Sequence, residues 1–138
     1  MAVGFEMDYL WYPVGSGDFL HAFFSTICLR LEKGKWGGRF PCLMNQLYQG
    51  QLRWQDIKKA RKELEEVQRE LKQFPPSQVV WDIDDLTLLP PWGDNISPDI
   101  TDLSNYFVTS DGRDLIEMLF EVFREAEQEK IDIEVTSY

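Results

Sequence analysis

Residues 2–33 contain the pattern from which the fold class follows: AVGFEMDYLWYPVGSGDFLHAFFSTICLRLEK. In the first part, apolar side chains alternate with small or charged ones, and this period of two predicts a strand over 2–12 with one buried face. The predicted buried face consists of Val3, Phe5, Met7, Tyr9 and Trp11. A strand with one buried face is typical of a sheet that is covered on one side.

The second part of this stretch predicts a helix over 18–33. Apolar residues recur there at spacings of three and four, and Asp18 or Ser16 can accept hydrogen bonds from the first turn. Gly34 can end the helix, because glycine tolerates the left-handed backbone of a C-terminal cap. The apolar face is wide, so we expect this helix to pack deeply against the sheet.

The remaining sequence predicts three more helices and three more strands. The helices are expected at 41–48, at 54–74 and from Ser110 or Asp111 to Ala126, and the strands at 78–83, 105–109 and 131–136. The predicted order is β-α-α-α-β-β-α-β. We therefore expect a single domain over residues 1–138 of the α+β (or α/β) class, with one sheet of about four strands packed with three to four helices.

The charge of the chain is uneven. Residues 82–138 carry fifteen Asp or Glu and three Lys or Arg, a balance of −12, whereas residues 1–81 carry nine acids and eleven bases. Nucleic acid needs cationic residues to release its counterions, so this field argues against a nucleic-acid partner. The same field speeds association with a basic protein. An acidic surface that only keeps the protein soluble is an equally open alternative.

Compartment and cofactors are indicated by what the sequence lacks. No apolar run approaches the ~18–20 residues that cross a bilayer, and the first residues lack the basic and apolar regions of a secretory signal. Cys28 and Cys42 form neither a metal-ligand pair nor a disulfide framework, and we expect Cys28 to be a small buried hydrophobe. We therefore expect a cytoplasmic protein with no cofactor and no membrane partner.

Candidate catalytic residues are few. His21 has no nucleophile or acid beside it in sequence, so we expect a structural role for it. Asp82, Asp84 and Asp85 follow a predicted strand, where carboxylates can share Mg²⁺ in phosphoryl-transfer chemistry. Because no basic phosphate clamp accompanies them, a small Mg-dependent enzyme is kept as an alternative, and no catalytic or metal-binding residue is assigned.

A partner-binding surface is the main interpretation. The last predicted helix carries an acidic ridge made of Asp114, Glu117, Glu121 and Glu125. The proline-containing segment 84–102 predicts a long irregular loop, which in a compact domain is usually functional or mobile. We expect Trp92 of this loop to be exposed and Trp81 to be buried; aromatic residues among carboxylates are typical of contacts with a basic partner. The predicted contact residues are Asp82, Asp84, Asp85, Trp92, Asp94, Glu117 and Glu121.

Several stretches of the chain are distinctive in composition and order. They are the opening MAVGF, WYPVGSGDFLHAFFST (residues 11–26), VWDIDDL (80–86), PPWGDNIS (90–97) and LSNYFVTSDG (103–112). From Met1 to about Phe123 the chain resembles immunity family 70, a family of bacterial antidotes encoded beside polymorphic toxins.

The resemblance implies a non-enzymatic protein that binds and neutralises the C-terminal domain of a cognate toxin in the producing cell. It transfers no individual contact residues. Many such toxins are nucleases with basic substrate grooves, and the acidic half of this chain would complement such a groove. An acidic adaptor protein is a further alternative, and self-association is left open.

Overall fold

The computed structural model describes residues 2–8 and 10–137, and in these residues four strands form one antiparallel sheet. The strands are β1 (Ala2–Met7), β2 (Leu10–Ser16), β3 (Gln51–Leu52) and β4 (Ile133–Ser137). Their order across the sheet is β2-β1-β4-β3. The N-terminal hairpin therefore pairs with the last strand of the chain, which joins its two ends in one sheet.

Three α-helices are described in residues 2–8 and 10–137, together with shorter helical turns. The α-helices are α1 (Gly17–Thr26), α2 (Ile57–Leu71) and α3 (Leu115–Glu129). The turns are π-helical at Ile27–Leu31 and Cys42–Leu47, and 3₁₀ at Trp54–Asp56 and Pro76–Gln78. The α+β class, the sheet of four strands and the approximate order of elements are thus confirmed.

The N-terminal strand differs from the prediction because the chain turns back within it. Asp8 has a positive φ of 54°, and the register pairs Phe5 with Tyr12 and Glu6 with Trp11. Residues directly opposite each other in a ladder share a face, so Trp11 lies on the face of Glu6 and not on that of Phe5. The predicted single strand over 2–12 is therefore a hairpin, and Tyr9 lies outside the described residues.

Gly4 is the position where the outer face of this hairpin is tightest. A Cβ atom there would lie 2.6 Å from the Trp11 ring and 2.6 Å from the Tyr12 carbonyl oxygen. Trp11 crosses β1 and donates from Nε1 to Oγ1 of Thr136 on β4, at 3.1 Å. Only glycine admits this close approach, which joins β2 to β4 across β1.

The ends of the first helix follow the sequence prediction. Oγ of Ser16 accepts a hydrogen bond from the Phe19 N–H at 3.1 Å, as an N-cap does. After the π-helical turn, Gly34 has a φ of +80° and donates to the Cys28 carbonyl at 2.9 Å. Ser16 and Gly34 therefore delimit the helical segment that carries His21.

The start of α3 differs from the prediction. Asp114 is the N-cap, since its Oδ1 accepts from the N–H groups of Ile116 at 3.0 Å and Glu117 at 3.2 Å. The predicted caps, Ser110 and Asp111, instead belong to a turn that ends at Asp114, where a β-bridge with Val108 closes it. Helix α3 therefore begins several residues later than predicted.

The predicted strand at 78–83 is not formed, because α1 binds this segment through side chains. Oγ1 of Thr26 accepts from the Val80 N–H at 3.0 Å and donates to the Val80 carbonyl at 3.2 Å. Oγ of Ser25 accepts from the Ile83 N–H at 3.1 Å. These bonds satisfy the backbone groups that a neighbouring strand would otherwise pair. The predicted strand at 105–109 likewise amounts to the single Val108–Asp114 bridge.

The core lies between the sheet and the helices and includes both cysteines. Cys28 and Cys42 are buried and free. Burial raises the pKa of both thiols, that of Cys42 to about 11, so both stay protonated at neutral pH. Along residues 2–8 and 10–137, no helix has the length and apolar character to cross a membrane.

Candidate partner-binding site

The acidic loop, defined here as residues 79–108, runs over the outside of α1 without regular structure. It carries six Asp and no Lys or Arg. Its start is fixed by Thr26 and Ser25 of α1, and Leu103 near its other end donates to the Phe74 carbonyl at 3.0 Å. The loop is therefore held at both ends on the helical layer and exposes what lies between.

His21 contacts the first carboxylates of the acidic loop. Its Nε2 lies 3.2 Å from Oδ1 of Asp82 and 3.9 Å from Oδ2 of Asp84, and its Nδ1 lies 2.6 Å from the Tyr48 hydroxyl. The Asp84 N–H, and next to it the imidazole of His21, lower the pKa of Asp82. His21 thus holds the loop by contacts that its sequence neighbours do not reveal.

Asp84, Asp85 and Asp94 are exposed, whereas Asp82 is half-buried. Oδ1 of Asp85 accepts from the Thr87 N–H at 3.1 Å and from its hydroxyl at 2.6 Å, which shapes a local turn. Asp94 lies close enough to Tyr106 to add to the effect of burial, which raises the pKa of the Tyr106 phenol. The exposed carboxylates remain accessible to a partner.

Trp92 joins the outer part of the acidic loop to the core. Its Nε1 donates to the Tyr106 hydroxyl at 2.9 Å, and its ring packs edge-on against Trp81 with centroids 5.4 Å apart. Phe19 of α1 contacts the same ring, with centroids 6.5 Å apart. Trp92 is nevertheless 37% exposed, as predicted, while Trp81 is partly buried against the core.

Three leucines of the acidic loop were not predicted as site residues. Leu86, Leu88 and Leu89 are 61%, 47% and 76% exposed. They follow the aspartates directly and precede Pro90. This segment has neither helical nor strand periodicity, so the sequence predicts no buried face for its leucines. That absence of periodicity is the sequence signal by which these leucines could have been predicted to be exposed.

The acidic ridge of α3 is more constrained than the loop. Asp114 is occupied as the N-cap, and burial raises the pKa of its carboxyl. Glu117 accepts from the Gln68 amide of α2 at 2.8 Å, and Glu121 pairs with Arg113 at 3.1 Å. Arg61 of α2 also pairs with Glu127 of α3. Within the ridge, Arg113 therefore neutralises Glu121, and the Gln68 amide holds Glu117 without neutralising its charge.

The predicted contact residues fall into two groups. Asp82, Asp84, Asp85, Trp92 and Asp94 share the acidic loop, whose two parts meet where Trp81 packs on Trp92. Within the described part of the chain, the hydrogen bonds and ion pairs of Glu117 and Glu121 involve Tyr12, Gln68, Arg113 and Asp114 and no residue of this loop. The structure therefore connects the loop residues to one another and leaves the α3 pair separate.

One group of side chains has the donor atoms for a metal ion. Atoms of His21, Asp82 and Asp84 all lie within 4.8 Å of one another, and over residues 2–8 and 10–137 no other such group is found. The sequence had suggested Asp82, Asp84 and Asp85, but Asp85 is engaged with Thr87. Imidazole with carboxylates suits a transition metal better than Mg²⁺. The contacts of His21 with Tyr48 and Asp82 account for the same geometry without an ion.

Comparison with known families agrees with the sequence motifs. The family model described as Immunity protein 70 matches residues 5–135. The chain belongs to this family. Membership implies a polymorphic-toxin immunity protein that binds a cognate toxin protein, and it suggests a non-enzymatic role. Searches of curated proteins and of solved structures found no match.

The family match covers both the acidic loop and α3. It therefore does not choose between them as the contact surface. The choice between these two surfaces depends on the geometry of their carboxylates.

Proposed function

We propose that this member of the immunity family neutralises, in the cytoplasm of the producing cell, a cognate toxin domain with a basic surface, and that the acidic loop makes the principal contacts. The observation that carries the proposal is the unpaired charge of the loop. Among residues 2–8 and 10–137, no Lys or Arg pairs with Asp84, Asp85 or Asp94. Such carboxylates can meet cationic groups of a partner without first breaking an ion pair with Lys or Arg.

Charge alone does not account for the affinity that protection requires. A nanomolar complex needs about −12 kcal/mol, and most of that comes from a few buried anchors rather than from exposed charges. The loop supplies such groups beside its carboxylates, namely Trp92 and the exposed leucines Leu86 and Leu89. Apolar anchors with a carboxylate rim suit a basic protein surface, and a nuclease groove that binds phosphates has such a surface.

The α3 carboxylates have a different part in this proposal. Glu117 and Glu121 add to the negative field that accelerates encounter; the charge of Glu121 is already paired with Arg113, and Glu117 accepts a hydrogen bond from the neutral Gln68 amide. Steering mainly affects the association rate, whereas close contacts mainly affect the dissociation rate. The two groups can therefore be separated by kinetics.

The test compares two triple variants with the same change in net charge. One is Asp84→Lys/Asp85→Lys/Asp94→Lys in the loop, and the other is Glu117→Lys/Glu121→Lys/Glu125→Lys on α3. Each is co-expressed with the C-terminal domain encoded by the gene immediately upstream, and cell survival is scored. With purified proteins, association and dissociation rates are measured at low and high salt.

Both triple variants are expected to slow association and to weaken its salt dependence, because both reduce the field. Only the loop variant is expected to speed dissociation and abolish protection. If the loop variant folds and still protects as well as the parent, the acidic loop is not the contact surface. If the unaltered chain neither binds nor protects, the proposed toxin partner is wrong.

A metal-dependent phosphoryl-transfer enzyme remains the second candidate, because His21, Asp82 and Asp84 bring three donor atoms together. Calorimetric titration with Mg²⁺ or Mn²⁺ separates the two functions. Binding that is lost in Asp84→Asn, accompanied by phosphatase or phosphotransferase activity, would favour the enzyme. Absence of heat, together with absence of phosphatase and phosphotransferase activity in the unaltered chain, would remove it.

A further inference from the structure

Exposed apolar residues are concentrated in one part of the surface. Six large hydrophobic side chains are exposed in the described residues: Leu10, Leu86, Leu88, Leu89, Trp92 and Val108. All except Leu10 belong to the acidic loop. Clusters of this kind on a protein surface mark interaction sites, whereas scattered single residues do not.

Two of these residues border a surface depression of about 380 Å³. Its walls are mainly apolar and include Phe19, Trp92, Ile96, Ile100, Tyr106 and Val108. A second depression of about 420 Å³ lies on the other side of Ile96 and Tyr106 and includes Leu89 and Pro90. The first is the better candidate for an anchor pocket, because aromatic rings line it and α1 forms its floor through Phe19.

The walls of the first depression are already fixed. Trp92 is held by the Tyr106 hydroxyl and by ring contacts with Phe19 and Trp81. Tyr106 in turn packs on Phe107, with ring centroids 5.0 Å apart. A pocket with ordered walls loses little side-chain entropy when a partner fills it, which favours tight binding.

The charge around the depression specifies the occupant. Asp94 follows Trp92 closely and lies near Tyr106, and the loop contributes no cation of its own. A second copy that docked through the same face would bring its own acidic loop, with six Asp and no Lys or Arg. Like charges across an interface are unfavourable, so a cationic partner fits better than self-association.

We propose that the depression between Phe19, Trp92 and Val108 is the anchor pocket of the interface and receives one large apolar side chain that the toxin domain presents among Lys and Arg residues. The proposal rests on the proposed function and adds the site and the chemistry of the contact. If the proposal is right, the dissociation rate of the complex depends on the uncharged pocket, whereas the association rate depends on the surrounding carboxylates.

The test fills the pocket without changing the charge. Val108→Trp is compared with Leu10→Trp, since both parent residues are 42% exposed and Leu10 lies outside the acidic loop on β2. Asn95→Trp fills the same depression from another wall and serves as a second variant if Val108→Trp melts early. Binding is measured with the purified C-terminal domain encoded immediately upstream, and thermal melting and sedimentation are recorded for every variant.

The pocket-filling variants are expected to weaken binding by at least about 100-fold through faster dissociation, a loss of the size that follows from disrupting an interface hot spot. Their salt-dependent association is expected to match the parent, and Leu10→Trp is expected to change affinity less than about threefold.

Several outcomes would overturn the pocket. If both pocket-filling variants bind with the affinity of the parent, the pocket is not the anchor site, whereas the proposed neutralisation still stands. Equal losses in Leu10→Trp and Val108→Trp would show that the effect is not specific to the pocket. A parental dimer that Val108→Trp dissociates would assign the pocket to a second copy. Absence of toxin binding by the unaltered chain would remove the proposed function and the pocket together.

Discussion

The acidic loop and α3 carry similar negative charge but hold it in different ways. The loop has six Asp and no base, and its exposed carboxylates face solvent beside exposed leucines. Helix α3 has five Glu and one Arg; Glu127 pairs with Arg61, Glu121 pairs with Arg113, and Glu117 accepts a hydrogen bond from Gln68. The comparison teaches that the charge of a segment does not show whether its carboxylates are available to a binding partner. Their availability depends on the internal partners that the fold supplies.

The two regions also differ in how their backbone is held. Helix α3 satisfies most of its own backbone groups and is capped at both ends, by Asp114, which accepts two N–H bonds, and by Lys130, whose N–H bonds the last turn. The loop depends on side chains of other elements, chiefly Thr26 and His21. Loss of one such side chain should therefore affect the loop more than the helix.

The largest expected effect is that of Thr26→Val, which keeps the volume and removes both hydrogen bonds to Val80. Because this site is buried, the variant leaves an unpaired N–H and an unpaired carbonyl and should lose about 1–3 kcal/mol of unfolding free energy. Urea unfolding measures the loss, and hydrogen exchange should show faster exchange at 80–83 than in α3. Thr87→Val is the matched control, because its hydroxyl bond to Asp85 is exposed; an equal loss there would contradict the argument.

The next effect tests the start of α3. Asp114→Ala removes the acceptor of the Ile116 and Glu117 N–H groups and should cost about 0.5–2 kcal/mol, as loss of an N-cap does. Asp111→Ala should cost less, because Asp111 bonds only the Thr109 hydroxyl. Thermal unfolding compares the two variants. A larger loss of unfolding free energy in Asp111→Ala than in Asp114→Ala would show that Asp111, as the sequence predicted, is the N-cap.

A smaller effect is expected from the charge pair of α3. Glu121→Gln removes an ion pair with Arg113 in which both side chains are more than a third exposed, so it should change stability by only about 0.2–1 kcal/mol. The same substitution should lower the pKa of Tyr12, which burial raises first and Glu121 raises further. NMR titration of Tyr12 checks this shift. An unchanged Tyr12 pKa would show that Glu121 points away from β2.

The smallest expected effect is confined to a few loop residues and depends on pH. The pKa of Asp82 is lowered from its ordinary value of 3.8, so its carboxylate stabilises the folded loop above that value, and this contribution is lost as pH falls through the lower folded pKa. The protection of the Asp84 amide, measured as its exchange rate relative to an unfolded chain at the same pH, should therefore decrease below about pH 4. In Asp82→Asn this pH dependence should vanish; if it persists unchanged, another group controls the loop.

Local pattern was sufficient for the elements whose partners are close in sequence. The Ser16 cap, the Gly34 C-cap and the apolar face of α2 follow from spacing and from residue chemistry alone. The family could also be recognised from motifs. The exposure of Trp92 followed from its position between Pro91 and Gly93, where no periodic structure can bury it.

Long-range pairing could not be predicted in the same way. The segment 78–83 has strand-forming residues, but the side chain of Thr26 takes the hydrogen bonds of Val80. His21 and Asp82 are 61 residues apart, and no periodicity connects them. The short strand β3 arises because β4 pairs with it, although its two residues carry no strand pattern.

By itself the sequence determined the fold class, the two ends of the first helix, the uneven charge and membership of the immunity family, because each depends on residue type and on spacing along the chain. The tertiary structure alone decided which carboxylates are free. An ion pair or a side-chain cap forms only when the fold brings its two partners within about 3–4 Å, and the distance along the chain does not report that.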